Sequence, residues 1–457
     1  MRAIVDTHCH LDFKDFDADR DQVIDRARKA GVARVVNIGS SVAGSRRSVE
    51  LAKQYECVYA SIGVHPHEAA SVTDAVISGL ESLAKDNRKV VAIGEVGLDY
   101  YRNLSPKEAQ VKAFERFIGL ANNLELPMVI HSREAESDLL AILKGCGRRL
   151  KGVMHCFSGD GRFLSECLAL GLHVSFTCNL TFKSAARLRE TAARVPAERL
   201  LLETDAPFLA PQAQRGKRNE PANCAQLLDV WAGLLKLSAD DVARITTHNA
   251  NALFHLGIEE PSVVAYPIRD ALYLNITNEC TNACDFCVRK STPFVKGHNL
   301  KLERIPSVDE LRRALGEARG YREIVFCGYG EPTTRLETVL VLAREMKKNG
   351  MRTRLVTNGH GDIINGRPIA AELAGLIDKV SVSLNADTPE KYAELCKPKF
   401  GKDTYNRVVQ FIKSCVARGI ETEVTCLDAD GVDIKRCEEI ARGLGARFRL
   451  RSLGAVG

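Results

Sequence analysis

The sequence predicts an α/β protein made of two successive barrels, a complete (β/α)8 barrel followed by a partial, open (β/α)6 barrel. Three observations carry this. Short apolar runs alternate with amphipathic segments along nearly the whole chain, which is the rhythm of parallel strands joined by helices. Eight such runs fall within about 255 residues, the size of a closed eight-unit barrel. The stretch "LGIEEPSVVAYPIRD", 256–270, with two prolines and no periodicity, then interrupts the series before six more runs follow.

In order, the first eight strands are read at "AIVDTH", "ARVVNIGS", "VYASIGVH", "VVAIGEVG", "PMVIHS", "GVMHCF", "HVSFTC" and "LLLETDAP". Segments such as "DADRDQVIDRARKAGV" and "SPKEAQVKAFERFIGLANNLE" lie between them, with apolar residues at helical spacing. The second series runs "ALYLNITN", "EIVFCGYG", "RTRLVTNG", "KVSVSLNA", "IETEVTCL" and "ARFRLRSL". The expected organisation is a first domain over 1–258, a linker over 259–267 centred near Pro261, and a second domain over 268–457.

Composition narrows the function classes. Hydrophobic residues at 45% and charged residues at 27% describe an ordinary globular protein. A net charge of +6 is small for 457 residues and permits an anionic substrate without demanding nucleic acid. No apolar run approaches the roughly 20 residues that span a bilayer, and "MRAIVDTHCH" lacks the apolar core of a signal peptide. The expectation is a cytoplasmic protein without a membrane partner, whose fifteen cysteines are reduced, some of them metal ligands.

Polar residues gather at the ends of the first-series strands. Strand one ends with His8 and His10, which alternation places on one face. Strand four carries Glu95, strand five ends with His131, strand six with His155, and strand eight with Asp205. Six nitrogen and oxygen donors at one barrel mouth suit divalent ions such as zinc, manganese or magnesium. They exceed the needs of one open catalytic ion, and two ions sharing Glu95 account for them. Such a pair stabilises both oxygens of a displacement at phosphorus, and Asp205 can take the proton of the attacking water. Arg133 and the basic loop Arg215, Lys217 and Arg218 are placed to meet phosphate, although a solvated charged loop explains the latter three equally well. His65 and His67 either line the mouth or shape a loop around Pro66, and His248 and His255 read as structural. Tyr100, Tyr101 and Phe157 are available to stack on bases and are equally suited to packing.

Residues 1–258 resemble the TatD family of metal-dependent deoxyribonucleases. The resemblance rests on "DTHCHLD", "SIGVHPHEA", "AIGEVGLDYYR", "MVIHSREA", "MHCFSGD", "LLLETDAPFLAP" and "RGKRNEPANC". It implies an amidohydrolase-type barrel acting on DNA, with His8, His10, Glu95, His131, His155 and Asp205 as metal ligands. The same ligand set also serves amidases and small phosphodiesterases.

The second series opens with "NECTNACDFC", in which Cys280, Cys284 and Cys287 stand at C-x3-C-x2-C spacing. Zinc wants a fourth ligand, and the nearest candidate, His298, lacks ligand-pair spacing. A disulfide conflicts with the compartment. A cluster with four cysteines, the fourth being Cys327, is conceivable, but Cys327 reads as a packed strand residue. Three thiolates holding a four-iron four-sulfur cluster, with the fourth iron left for a ligand, explain the odd number. Glycine in "GYGEP" permits close backbone approach, and Glu331 there can accept from an ammonium. Cys396, Cys415, Cys426 and Cys437 read as structural.

Residues 268–457 resemble the radical SAM superfamily through "CTNACDFC" with Phe286, "GYGEP", "VTNG" and "SVSLNA". The resemblance implies that S-adenosylmethionine supplies the missing ligand and is cleaved reductively to a deoxyadenosyl radical. It implies contacts from Gly330 and Glu331 to the methionine amine, and ribose or carboxylate contacts from Asn358, Ser383 and Asn385. It also implies an electron donor such as ferredoxin or flavodoxin. Tyr329 departs from the commoner Gly-Gly-Glu-Pro form. A second expectation is that the cluster domain only senses redox state or S-adenosylmethionine and regulates the hydrolase.

Overall fold

The computed structural model describes residues 3–146, 150–316 and 318–452. The chain divides into two compact units, Met1–Glu259 and Glu260–Gly457. The last five residues expected in the second domain lie outside the described residues.

The first unit is an eight-stranded parallel sheet in sequential order. Its strands are β1 (Ile4–Cys9), β2 (Val32–Ile38), β3 (Val58–Ile62), β4 (Val90–Asp99), β5 (Met128–Arg133), β6 (Gly152–Met154), β7 (His173–Phe176) and β8 (Leu200–Leu202). Helices occupy the crossovers because the connecting segments place apolar residues on one face and carry starting caps. Ser41 accepts from the Gly44 N–H to start the helix Val42–Gln54, and Asp160 accepts from Arg162 and Phe163 to start Gly161–Ala169. The sheet closes at its C-terminal end, where Cys9 bridges Ala206 in parallel. His10 N–H donates to the Ala206 carbonyl at 2.8 Å, and Asp205 N–H to the His8 carbonyl at 2.8 Å. Closure therefore brings three candidate ligands together through backbone bonds. Below them, Val36, Val91, Val129, Val153 and Leu201 pack with Phe254 and Leu256. The helix Ala239–Phe254, with a Ser238–Asp241 capping box, thus supplies the apolar floor.

The second unit is a seven-stranded open sheet, ordered β17-β16-β15-β14-β13-β10-β9. Its strands are β9 (Ala265–Ile268), β10 (Ala271–Asn275), β13 (Glu323–Cys327), β14 (Arg352–Thr357), β15 (Lys379–Ser383), β16 (Glu421–Asp428) and β17 (Arg447–Ser452). A short hairpin, β11 (Phe294–Val295) with β12 (His298–Asn299), stands apart. The six strands from β10 onward are the six runs of the sequence, and they pair in parallel. β9 is a correction: the segment expected to be linker forms an edge strand antiparallel to β10. Pro267 disguised it, but a proline costs little on an edge, where no second neighbour calls for its missing N–H. One sheet face packs Leu274, Phe326, Leu355, Val380 and Val424 against helices.

Candidate functional site

The barrel mouth is a cavity of about 820 Å3 lined by His10, His65, Glu95, His131, His155 and Asp205. Glu95 organises it by facing two ways. Its Oε2 lies 3.6 Å from His8 Nε2 and 3.9 Å from His10 Nε2. Its Oε1 lies 2.8 Å from both His131 Nδ1 and His155 Nε2, and 3.4 Å from His65 Nε2. Asp205 Oδ1 completes the first group, 3.6 Å from His8 Nε2 and 3.5 Å from His10 Nε2. The structure thus gathers all six expected donors, in two groups that meet at one carboxylate.

Electrostatics at the mouth follow from this crowding. Burial alone would raise the Glu95 carboxyl, but the surrounding imidazoles, His155 and His65 first, hold it well below the usual carboxylate range. Burial depresses His8 well below the usual imidazole value, and the neighbouring His155 adds to this. Burial also works against a charged His10, but the hydrogen bond to and charge of Asp205 lift it to about 9. Two imidazole nitrogens, His8 Nε2 and His10 Nε2, face each other at 3.3 Å. Nitrogens and carboxylate oxygens brought this close, buried and converging, form a donor set that fits divalent cations.

Asp99 and Glu203 were not singled out from the sequence, while His65, expected either to line the mouth or to shape a loop, lines the mouth. His65 joins the Glu95 Oε1 group. Asp99, buried at the end of β4, accepts from or pairs with His131 Nε2 at 3.3 Å and His67 Nε2 at 3.0 Å, and is itself held by the Arg102 N–H. It fixes the ring of His131, as a carboxylate behind a ligating histidine does. Glu203 lies 3.8 Å from His155 Nδ1 and is anchored by Ser175 Oγ and the Cys156 N–H, each at 2.6 Å; burial pushes it up to about 7. Even spacing was the available signal, since Asp99 stands four residues after Glu95 and Glu203 two before Asp205.

The phosphate-binding expectation divides. Arg133 lines the mouth, and its guanidinium lies over the Tyr101 ring at 3.8 Å; Tyr101 is 54% exposed. Arg218 has other partners. Its guanidinium grips Asp19 through two bonds of 2.7 Å and covers the Phe16 ring, so it clamps the start of the helix Arg20–Lys29 instead of facing the mouth. Phe157 is buried between Phe163 and Phe176 and has no face for a base. Tyr100 bonds Asp138 at 2.9 Å.

In the second unit Cys280, Cys284 and Cys287 line one cavity of about 550 Å3 with Tyr329. None of the fifteen cysteines is in a disulfide. The three thiols follow β10 on one loop, which pairs with residues 395–399: Ala283 N–H donates to the Cys396 carbonyl at 3.0 Å and Lys399 N–H to the Thr281 carbonyl at 2.9 Å. Cys396 sits behind Cys284, whose thiol it hydrogen-bonds and holds protonated well above the ordinary value. Three unpaired thiols opening on one cavity fit a three-thiolate cluster with one open iron.

The residues expected to hold S-adenosylmethionine behave differently. Glu331 is buried, and its carboxylate accepts from Thr333 N–H (3.0 Å), Thr333 Oγ1 (2.6 Å), Thr357 Oγ1 (2.8 Å) and Asn358 N–H (2.7 Å). It ties the end of β13 to the end of β14 and does not line the cysteine cavity. Gly330 is required by close approach, since a Cβ there would lie 2.0 Å from the Glu279 carbonyl oxygen. Asn358 reaches the cysteine loop, its Nδ2 donating to Thr281 Oγ1 at 3.0 Å and approaching Cys280 Sγ at 3.9 Å. Asn385 contacts Cys396 Sγ at 3.7 Å and accepts from Arg451 at 3.0 Å. Ser383 ends β15, half-buried. Cys327 bonds its neighbour's carbonyl and the side chain of Tyr266.

Comparison with known proteins covers both units. Residues 5–255 match the model of the TatD related DNase family, and residues 274–443 that of the Radical SAM superfamily. The chain is 39% identical over 254 residues to the uncharacterized metal-dependent hydrolase YabD of Bacillus subtilis, a match spanning 55% of this chain and 99% of that one. It is 39% identical over 260 residues to the 3'-5' ssDNA/RNA exonuclease TatD of Erwinia amylovora, with 55% and 99% covered. Among solved structures, the TatD homolog YJJV of Escherichia coli superposes with a TM-score of 0.53 at 31% identity, over 55% of this chain and 98% of that one.

Proposed function

We propose that this chain, which belongs to the TatD-related DNase family and carries a radical SAM domain, is a two-site enzyme that hydrolyses DNA phosphodiesters in its barrel and cleaves S-adenosylmethionine reductively at its cysteine loop. One observation carries the hydrolase half: the two oxygens of Glu95 face two separate donor groups. A pair of divalent ions, when bound there, supplies Lewis acidity and a nucleophilic hydroxide. His8, His10 and Asp205 would hold one ion and His131 and His155 the other, with Glu95 between them. Asp205 is the most solvent-accessible of the carboxylates in these groups, at 15% side-chain exposure against 5% for Glu95, and takes the proton released at the nucleophile. Arg133, at the lip, orients a phosphate through its guanidinium fork. Asp99 holds the ring of His131 in place, and Glu203 sets a carboxyl 3.8 Å from His155 Nδ1.

In the second unit, Cys280, Cys284 and Cys287 would hold a four-iron four-sulfur cluster, which supplies an electron to the sulfonium of S-adenosylmethionine. Asn358 orients the loop beside Cys280, and Glu331 holds Asn358 in turn. The electron comes from a reduced protein such as ferredoxin or flavodoxin. Unpaired thiols throughout suit a cytoplasmic location, and no helix among the described residues is long and apolar enough to cross a membrane.

The test is cleavage of single-stranded DNA by the metal-loaded protein, run beside small phosphodiesters and amides. Cleavage with manganese, magnesium or zinc, abolished by a chelator, is expected. Intact DNA with hydrolysed amide would move the barrel to another hydrolase class. Anaerobic reduction with S-adenosylmethionine should release deoxyadenosine; bound but uncleaved S-adenosylmethionine would make the second unit a sensor.

A further inference from the structure

The rim of the cysteine cavity carries a charge that the chemistry so far does not use. Between residues 280 and 301 and between 395 and 402, the only carboxylate is Asp285. These stretches lie side by side through the backbone bonds described above and a further one from Asp285 N–H to the Leu395 carbonyl at 3.0 Å. Asp285 is already shared by Lys290 at 2.8 Å and Lys397 at 2.6 Å. Arg289 and Lys301 line the cavity itself, while Lys399 and Lys402 stand on the second stretch. All four are exposed and have no carboxylate partner among the described residues.

Phe400 lies between the last two lysines and is 40% exposed. It is braced edge-on against the His360 ring, with centroids 5.9 Å apart at 67°. His360 is buried and fixed by Thr281 Oγ1 and Tyr392 OH, each at 2.7 Å. The rim therefore combines a cationic track with an aromatic face held from behind, next to the loop that bears the three thiols.

We propose that this rim binds single-stranded nucleic acid, with a base stacked on Phe400 and backbone phosphates on the surrounding cations, so that the radical domain acts on a polynucleotide. Cations that follow a backbone, interleaved with an aromatic that accepts any base, are what sequence-tolerant single-strand binding requires. An acidic protein would meet the same cations but would leave the braced aromatic unexplained. The proposal rests on the reading of Cys280, Cys284 and Cys287 as cluster ligands.

The experiment is photo-crosslinking of the full-length protein to a single-stranded oligonucleotide carrying iodouracil, with a chelator present so that the barrel does not cut it. Crosslinked peptides are identified by mass spectrometry. Crosslinks are expected on the peptide containing Phe400, about tenfold weaker in Phe400→Ala. In Lys399→Glu/Lys402→Glu, the salt dependence of rim crosslinking should fall by about one unit of slope per charge removed. Unchanged iron content in both variants shows that the unit is still folded. Crosslinks confined to residues before 260, or rim crosslinks indifferent to these changes, overturn the proposal. So does a rim that crosslinks no oligonucleotide while its charge reversal abolishes flavodoxin binding, which would assign it to an acidic protein. Rim crosslinks in a protein that never takes up iron and sulfide would uphold the nucleic-acid site and defeat the cluster reading instead.

Discussion

The two sites place their ligands on different kinds of scaffold. In the first unit the donors stand on or directly beyond strand ends, and the backbone bonds that close the barrel, His10 to Ala206 and Asp205 to His8, also set the donor spacing. In the second unit the three thiols stand on one loop, half-buried, held by hydrogen bonds to residues 395–399 and by the Asn358 amide. Folding the barrel sets the first site through its strands, whereas the second depends on contacts between one loop and the segment 395–399. One chain therefore carries one site set by its sheet and one set by a loop.

Changes at the two sites should therefore have separate and unequal consequences. Glu95→Ala removes the shared oxygen pair, and metal content and DNA hydrolysis should both collapse, the latter by about a thousandfold or more. That exceeds the roughly 10–100-fold cost of losing a residue that only supports a ligand. Deoxyadenosine release should be unaffected. Cys284→Ser should do the reverse, losing iron by elemental analysis while hydrolysis continues at its normal rate; a matched loss in both assays would break the comparison.

Smaller effects sharpen it. Gly330→Ala drives a Cβ into the Glu279 carbonyl beside Cys280, and overpacking of this kind costs about 1–3 kcal/mol. It should appear in denaturant unfolding of the second unit and as reduced iron loading, with the first unit's metal content unchanged. Two imidazoles outside the donor groups are held neutral: half-buried His173 in the first unit, lowered to about 4 by desolvation and by Arg199, and buried His360 in the second, lowered to about 4 by burial. The unfolded chain takes up these protons near pH 6.5, so stability is full above that pH and declines as the pH falls from about 6.5 toward 4. Phe or Gln at either position should flatten the pH dependence of its unit's unfolding midpoint. Arg133→Ala should raise KM for DNA and reduce the salt dependence of binding by about one unit of slope. Arg218→Ala should leave KM unchanged and cost about 1 kcal/mol or less.

Much of this was legible in the sequence. All fourteen expected strands form, and six donors at strand ends could be aligned because alternation along a strand is a fixed geometry. What the sequence does not reveal is a side chain's partner that lies far along the chain. Glu331 reads as a free acceptor until Thr357 and Asn358 arrive from the next strand. Nothing near Arg218 in the sequence announces its bond to Asp19, 199 residues away. Pro267 concealed β9 because a proline argues against a strand only when both strand edges must pair.

The central claim is that one chain carries two chemically independent metal centres, and elemental and sulfide analysis of the anaerobically purified full-length protein beside Glu95→Ala and Cys284→Ser tests it most directly. The account predicts about two divalent ions together with about four irons and four sulfides per chain. Glu95→Ala should lose only the first set and Cys284→Ser only the second. A single metal population, depleted together by either substitution, would contradict it.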